Sequence, residues 1–341
     1  MLRRISSHRL GQVRLRYSAQ TMQATLAVTI PFFALVLCGY LAGRQRVLTE
    51  SAIPGLNVFV LYFALPCMLF RFGANAPLLE LFNPSLLLLW LGCALLLIFF
   101  TISFSLNRRV HLKDASFGAL VAVFPNTGFM GVPLLVALLG PAAAGPAICT
   151  ILADIFVTSS VCIARAQMHG SSGAAAGLKR ALMGTVSNPL PWAIALGAVF
   201  SAMGWQLGGP VEVVVRLLGD AATPVALFTI GTVLWRAGQH SHGHTPLRDF
   251  VPVALVKLLL HPLLVLLLGS VARSYGAPLT GFQLTIITLV AALPSASNVS
   301  LLAERFGADN GRIARIIMSS TVGAFVSFSL LAWAFDVQPT R

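Results

Sequence analysis

Charge is scarce in this chain, and acid scarcest of all. Asp, Glu, Lys and Arg make up 10% of 341 residues, and only ten positions are acidic. A water-soluble domain carries roughly 25% charge, so most of this sequence is not built to face water. The longest polar stretches, Ala166–Ser187 and Arg236–Phe250, are of loop length, which excludes a soluble catalytic domain of useful size. Period-two alternation is also missing, which excludes barrel strands. There is no Gly-Lys-Ser/Thr phosphate-cradling loop and no His-Glu-x-x-His, which argues against ATP-driven transport by this chain and against a zinc protease. Five cysteines, Cys38, Cys67, Cys93, Cys149 and Cys162, fall singly in apolar segments. They read as small buried hydrophobes, and no cofactor or metal site is expected.

What the chain has is apolar length. Hydrophobic residues reach 57% and the mean hydropathy is +0.85. Pro84–Leu106 and Val251–Val271 attain the roughly 20 residues that a hydrocarbon layer about 30 Å thick requires. Ten transmembrane helices are expected. The first five are Met22–Gly43, Ser51–Phe72, Pro84–Leu106, Ala115–Leu139 and Ala142–Ala164. The second five are Pro189–Leu207, Val211–Trp235, Val251–Val271, Leu279–Ala303 and Arg312–Phe335. The fold class is therefore an all-α integral membrane protein embedded in the lipid bilayer.

The formal net charge of +13 does not indicate nucleic acid, because the basic residues are scattered one to three per loop, as the positive-inside rule places them. Loops after odd-numbered helices hold thirteen Lys and Arg, whereas the other side holds Arg71, Arg273 and Arg341. Both termini are then outside and the central loop is cytoplasmic, in a bacterial inner membrane. The tail disagrees: Arg3, Arg4, Arg9, Arg14 and Arg16 would have to cross the membrane. No apolar signal segment precedes Met22, so the favoured reading starts translation at Met22; a transit peptide is the alternative. The organisation is a basic tail 1–21, a first repeat 22–165, a cytoplasmic loop 166–187 and a second repeat 188–336.

Those repeats come from matching motifs. Pro66-x-x-x-Phe70 recurs as Pro224-x-x-x-Phe228, and Val121-Ala-Val-Phe-Pro125 recurs as Val290-Ala-Ala-Leu-Pro294. Five helices per repeat is an odd number, so the repeats must be inverted, the architecture of secondary transporters. Helix four carries Pro125, Asn126, Thr127, Gly128, Gly131 and Pro133 within a few turns, and helix nine carries Pro294, Ser295, Ser297 and Asn298. Such segments break a helix and free its backbone groups. In hydrocarbon each freed group costs several kcal/mol unless protein or a cavity satisfies it. A proline kink rescued by Ser and Thr is the competing reading for either helix alone; two breaks at matching places outweigh it. Crossed breaks present half-helix N-termini at mid-membrane, a setting for a carboxylate.

Phe124–Leu135, FPNTGFMGVPLL, resembles the helix-four signature of the auxin efflux carrier (AEC) family, which includes the PIN-type carriers and bacterial relatives associated with malonate. Asn57–Phe70 is similar to that family's second helix, Lys257-Leu-Leu-Leu-His-Pro262 to its eighth, and the resemblance runs from about Met22 to Phe335. It implies two inverted five-helix repeats with crossed helices four and nine, acting as a carrier of small organic anions. Asn57 joins the expected substrate-binding residues on this basis. Val299 stands where the PIN pattern has a second proline, and the long central loop of plant members is here about 22 residues, so regulation by loop phosphorylation does not carry over.

Ionisable residues inside spans mark function or a structural pair. Asp154, mid-way along helix five, is the candidate coupling carboxylate, and Lys257 of helix eight is a second coupling residue or a side chain snorkelling to the interface. The coupling ion, H⁺ or Na⁺, and homodimerisation are left open. Glu212, Arg216 and Asp220 read as a structural ladder on helix seven; His261 reads as satisfied by a neighbouring carbonyl ahead of a group titrating near neutrality, and His240-Ser-His242-Gly-His244 as a solvated run ahead of a metal site. Gly170-Ser171-Ser172-Gly173 lies in a loop and is a poor protease motif. The reading is a secondary transporter of a small organic anion, not an enzyme; the alternatives are a membrane receptor or transceptor on the same fold, or an intramembrane enzyme.

Overall fold

The computed structural model describes residues 2–168, 179, 183, 184, 186–240 and 245–337, with the backbone alone for 2–20, 78, 79 and 240. The regular elements among the described residues are helices, joined by turns, with one isolated bridge between Pro125 and Ser295. Besides a single helical turn at Leu78–Leu81, the helices are α1 (Leu2–Arg44), α2 (Ala52–Asn75), α3 (Pro84–Ser105), α4 (Leu112–Val123), α5 (Thr127–Leu139), α6 (Pro141–Ala166), α7 (Pro189–Met203), α8 (Gly209–His240), α9 (Leu247–Ser274), α10 (Gly281–Ala292), α11 (Asn298–Arg305) and α12 (Asn310–Ala334). Seven of them are long and apolar enough to cross a membrane: α1 over Thr21–Arg44, α2, α3, α6, α8, α9 and α12. Helices α5, α7 and α10 are shorter and apolar.

Local chemistry sets the boundaries. Asn83 and Asn188 each accept a backbone N–H from the first turn of α3 and α7, and each is followed by a proline; proline at N1 has no donor to waste and its φ is already helical. Thr280 and Gln283 form a reciprocal capping box at α10. Gly204, at φ +63°, ends α7, four residues earlier than the apolar run alone suggests, because that left-handed φ is open to glycine. Helix α8 instead runs past Trp235 to His240, through Pro224.

Four π turns interrupt the helices, at Val60–Ala64, Thr127–Gly131, Asp154–Thr158 and Val256–Leu260. Three of them lie just before a proline, at Pro66, Pro133 and Pro262. A proline has no N–H to return to the preceding turn, and widening that turn to an i+5 bond absorbs the mismatch. The fourth has no proline: Ser159 donates both its N–H and its Oγ, the latter at 2.9 Å, to the Asp154 carbonyl.

Glycine decides how α1, α2, α7 and α8 pack. A Cβ on Gly39 would strike the Phe228 carbonyl, and one on Gly231 would strike that of Val36. The seam between α1 and α8 is thus backbone against backbone, continued by Gly43 against the Trp235 ring. Gly73 and Gly197 do the same between α2 and α7, where Gly73 faces the Ile194 carbonyl at 3.2 Å. Small residues that admit close backbone approach are the usual driving contact between helices in lipid, where hydrophobicity gives no preference for protein over solvent. Large apolar side chains such as Leu88, Phe99, Leu217 and Val322 point outward, as lipid-facing positions do.

Arg312 ties three other helices together at one end. It is 2% exposed, donating Nε to the Asp249 carbonyl at 2.7 Å and an Nη to the Asp114 carbonyl at 2.9 Å. Asp309 Oδ1 accepts the backbone N–H of Arg312, and Asp114 Oδ1 accepts that of Asp309. Sequence reading places Arg312 among loop cations; here it joins the first turns of α4, α9 and α12. The Glu212–Arg216–Asp220 ladder is likewise corrected, since Asp220 pairs with Arg71 of α2 and not along its own helix.

Candidate functional site

Helices α4 and α10 stop short at Val123 and Ala292, and the chain beyond each is extended. Asn126 N–H donates to the Pro294 carbonyl at 2.8 Å, and Ala296 N–H donates to the Phe124 carbonyl at 3.0 Å. The two breaks cross, and each satisfies the other with main-chain bonds. Pro125 and Pro294 impose this by removing a donor and disfavouring α geometry in the residue before them. At Gly131 a Cβ would overlap the Leu293 side chain, which would have to move to admit one. Gly128 is not so constrained, as nothing lies within 4 Å of its Cβ position. Pro133 falls in the first α turn after the π turn.

The polar side chains at the breaks divide into two sets. Ser295 is committed to the fold: its Oγ donates to the Val121 carbonyl at 2.8 Å, and its N–H donates to Ser320 Oγ at 3.1 Å. Asn126 Oδ1, Thr127 Oγ1 and Asn298 Oδ1 are buried with no hydrogen-bond partner. An unmet buried polar group costs about 1–3 kcal/mol, and three at one crossover are unusual for a purely structural joint. The Asn126 side chain does not cap the second half-helix; its backbone carbonyl takes the N–H groups of Met130 and Gly131 instead.

A cavity of about 280 Å³ lies against the crossover. Asn57 of α2, Ser297 and Asn298 at the start of α11, Ser159 of α6 and Arg305 at the end of α11 supply its polar wall, and Phe124 and Phe129 part of its apolar one. It extends from the break toward the end of the bundle that holds Asn188 and the α11–α12 turn. Of the residues expected to bind substrate, Asn57, Ser297 and Asn298 line this space; Pro125, Asn126, Thr127, Gly128, Gly131, Pro133, Pro294 and Ser295 build the crossover behind it.

Asp154 and Lys257 lie elsewhere, brought together in a buried cluster. Trp90 Nε1 donates to Asp154 Oδ1 at 2.9 Å, and Thr158 Oγ1 donates to the same oxygen at 3.0 Å. Lys257 is fully buried and does not snorkel: Nζ donates to the Ala291 carbonyl at 2.9 Å and contacts His261 Nδ1 at 3.2 Å. The ammonium thus neutralises a carbonyl orphaned where α10 ends, the helix terminus that favours a cation. His261 is not satisfied by a carbonyl as its sequence context suggests; its ring lies 5.1 Å from Trp90 and its Nε2 has no partner. Trp90 is not legible as a site residue in the chain, being an aromatic in an apolar run, whereas His261 is visible there as a group able to titrate near neutrality. The His240–His244 run and Gly170–Gly173 lie outside the residues with described side chains. Among described residues no cluster of three metal-ligating side chains occurs.

Comparison with known proteins gives the context. The chain matches the model of one family, described as membrane transport protein, over residues 25–332. It is similar to a protein of Rhizobium meliloti (strain 1021) named "Putative malonate transporter", 26% identical over 319 residues that span 88% of this chain and 92% of that protein. An "Uncharacterized transporter YfdV" of Escherichia coli (strain K12) is 27% identical, covering 81% of this chain and 87% of its own length. "Auxin efflux carrier component 8" of Arabidopsis thaliana is 23% identical, covering 79% and 86% respectively.

Proposed function

The chain belongs to the membrane transport protein family, that of the auxin efflux carriers, and from that premise we propose that it is a secondary carrier moving a small organic anion, a mono- or dicarboxylate such as malonate, across a bacterial inner membrane by alternating access. The observation that carries the reading is the pair of crossed helix breaks beside a cavity lined by Asn57, Ser297 and Asn298. Amides, hydroxyls and the N-terminus of α11 suit a carboxylate. Arg305 adds a cation to the same wall. A volume of about 280 Å³ is at the small end for ligand sites, in keeping with a small acid and with the name borne by the Rhizobium relative.

The broken helices count as single spans in this reading, giving ten spans in two inverted repeats, 22–165 and 188–336. The glycine seams support it: α1 against α8 and α2 against α7 are the same contact if α1 repeats as α7 and α2 as α8. The thirteen-to-three distribution of basic residues supports external termini and a cytoplasmic 166–187 loop, so the cavity would face the cytoplasm. Asp154 and Lys257 are the coupling residues. The test is uptake of labelled malonate and related acids into proteoliposomes under imposed pH or Na⁺ gradients. Uptake no greater than in protein-free vesicles for every acid would overturn the reading. Reporter fusions in the central loop and after Phe335 check the orientation: the loop reads cytoplasmic and the end periplasmic.

A further inference from the structure

We propose that Asp154, His261, Lys257 and Trp90 form a site for one proton, separate from the substrate cavity and linked to it through the π turn that begins at Asp154. This deepens the coupled-carrier reading and rests on it.

Hydrogen-bond accounting points to His261. A protonated lysine has donors only, so with Lys257 charged the His261 Nδ1 at 3.2 Å from its Nζ is the acceptor, which puts the ring proton on Nε2. That Nε2–H is a buried donor with no acceptor, and Asp154 Oδ2 is a buried acceptor with no donor. Trp90 lies against both residues, bonded to Asp154 Oδ1 and tilted over the His261 ring. All four side chains are at most 1% exposed. One orphan donor and one orphan acceptor in a single closed cluster are the two faces of a place where a proton can be held.

The groups around it are few. Lys257 is the charged group acting on His261, and Lys257 also acts on Asp154. Cys162, further along α6, is near Asp154. Helix α3 contributes the indole and α10 a carbonyl. The Asp114, Asp249 and Arg312 groups belong to the first turns of α4, α9 and α12, with Asp249 about 12 Å along the α9 axis from Lys257. With Lys257 charged, Asp154 ionised and His261 neutral, the cluster is neutral overall. Nε2 and Oδ2 are not bonded to each other in this arrangement; a movement that brings them within hydrogen-bond reach lets the loading of one proton balance as a relay, in which Nε2–H passes to Oδ2, a Lys257 proton passes to Nδ1, and the incoming proton restores the ammonium. The loaded cluster carries one positive charge, and Nδ1, now a donor, no longer accepts from Lys257.

Two contacts carry that change outward. Lys257 also holds the Ala291 carbonyl, near the end of α10 where the crossover begins. Ser159 donates to the Asp154 carbonyl and lines the cavity with Ile155. A substrate oxygen that draws the Ser159 hydroxyl away loosens the π turn on which Asp154 is mounted.

Infrared difference spectroscopy on the purified full chain, stepped between neutral and acid pH without substrate, reads the site directly. Wild type gains a carboxylic-acid C=O band that Asp154→Asn lacks, and Trp90→Phe shifts its midpoint. No such band in wild type, or a band that survives Asp154→Asn, overturns the proposal; if Asp154→Asn does not fold, an unmoved midpoint in Trp90→Phe does so. In proteoliposomes, His261→Gln lowers the H⁺-to-malonate flux ratio by at least about tenfold, since glutamine can bond Lys257 but cannot relay a proton. A ratio kept while both fluxes fall together makes His261 structural and overturns the relay. If wild type shows the band but moves no malonate, the proton site stands and the substrate reading fails.

Discussion

Helices α1, α2, α7 and α8 and the helices around the crossover solve the problem of life in lipid in opposite ways. The first group is joined by backbone contact at Gly39, Gly231, Gly73 and Gly197. Its buried polar side chains are threonines, such as Thr25, Thr29, Thr229 and Thr232, and its Arg71–Asp220 ion pair stays exposed. In the second group the main chain is interrupted and ionisable groups go inside: Asp154, Asp249, Lys257, His261 and Arg312 are all buried there. Main chain laid on main chain gives a rigid seam, in which the Thr25 hydroxyl alone among the described buried side chains lacks a partner. A polar interior with orphaned atoms is costly in isolation, and such cost is retained where a ligand or a proton offsets it.

The comparison breaks most visibly at the seams. Gly231→Leu drives a side chain into the Val36 main chain, which cannot move aside as a side chain would. A destabilisation of more than about 3 kcal/mol is expected, read as loss of folded monodisperse protein or a large fall in Tm. A normal melt would mean the seam is not the rigid element. Arg312→Met should come next, at about 3 kcal/mol, because Asp114, Asp249 and Asp309 lose their common cation. Here the melt falls, and restoring a cation with Arg312→Lys recovers only part of it, since an ammonium cannot reach two carbonyls as a guanidinium fork does.

At the crossover the effect moves from folding to binding. Asn126→Ala and Asn298→Ala should each weaken substrate binding by about 1–3 kcal/mol while the melt changes little, because the main-chain bonds at Phe124 and Pro294 survive. Calorimetry beside thermal melts separates the two; normal binding in both variants would put the anion site elsewhere. The smallest effect is at neighbouring glycines. Gly128→Ala has open space and should stay within about 0.5 kcal/mol of wild type, whereas Gly131→Ala must displace Leu293 and cost more. Equal effects at the two would remove the argument that only Gly131 is held by contact.

The breaks themselves could be read from the chain, because Pro125, Gly128, Gly131 and Pro133 in one run, and Pro294 with Ser295 and Ser297 in the other, leave no regular helix available. What the breaks do with their freed groups could not. Ser295 looks as good a ligand as Ser297 in sequence, yet it bonds Val121 and Ser320 while Ser297 faces the cavity. Lys257 four residues before His261 is visible as a helical pair, but its acceptor on α10 is 34 residues away. The glycine seams, although Gly39 and Gly43 have the four-residue spacing of a close helix contact, declare no partner.

By itself the sequence determined the class of this protein. Its apolar runs, its thinness in charge and its paired breaker segments are local properties, and in lipid the requirement that every backbone group be satisfied converts them almost directly into helices and helix breaks. Tertiary structure alone decided which polar atoms are used up and which are left over. That depends on angles and approaches between helices far apart in the chain, where Trp90, Asp154 and His261 meet and where Asn126 and Asn298 are left unpaired. A hydrogen bond is won or lost over a few tenths of an ångström, a scale on which spacing along a chain carries no information.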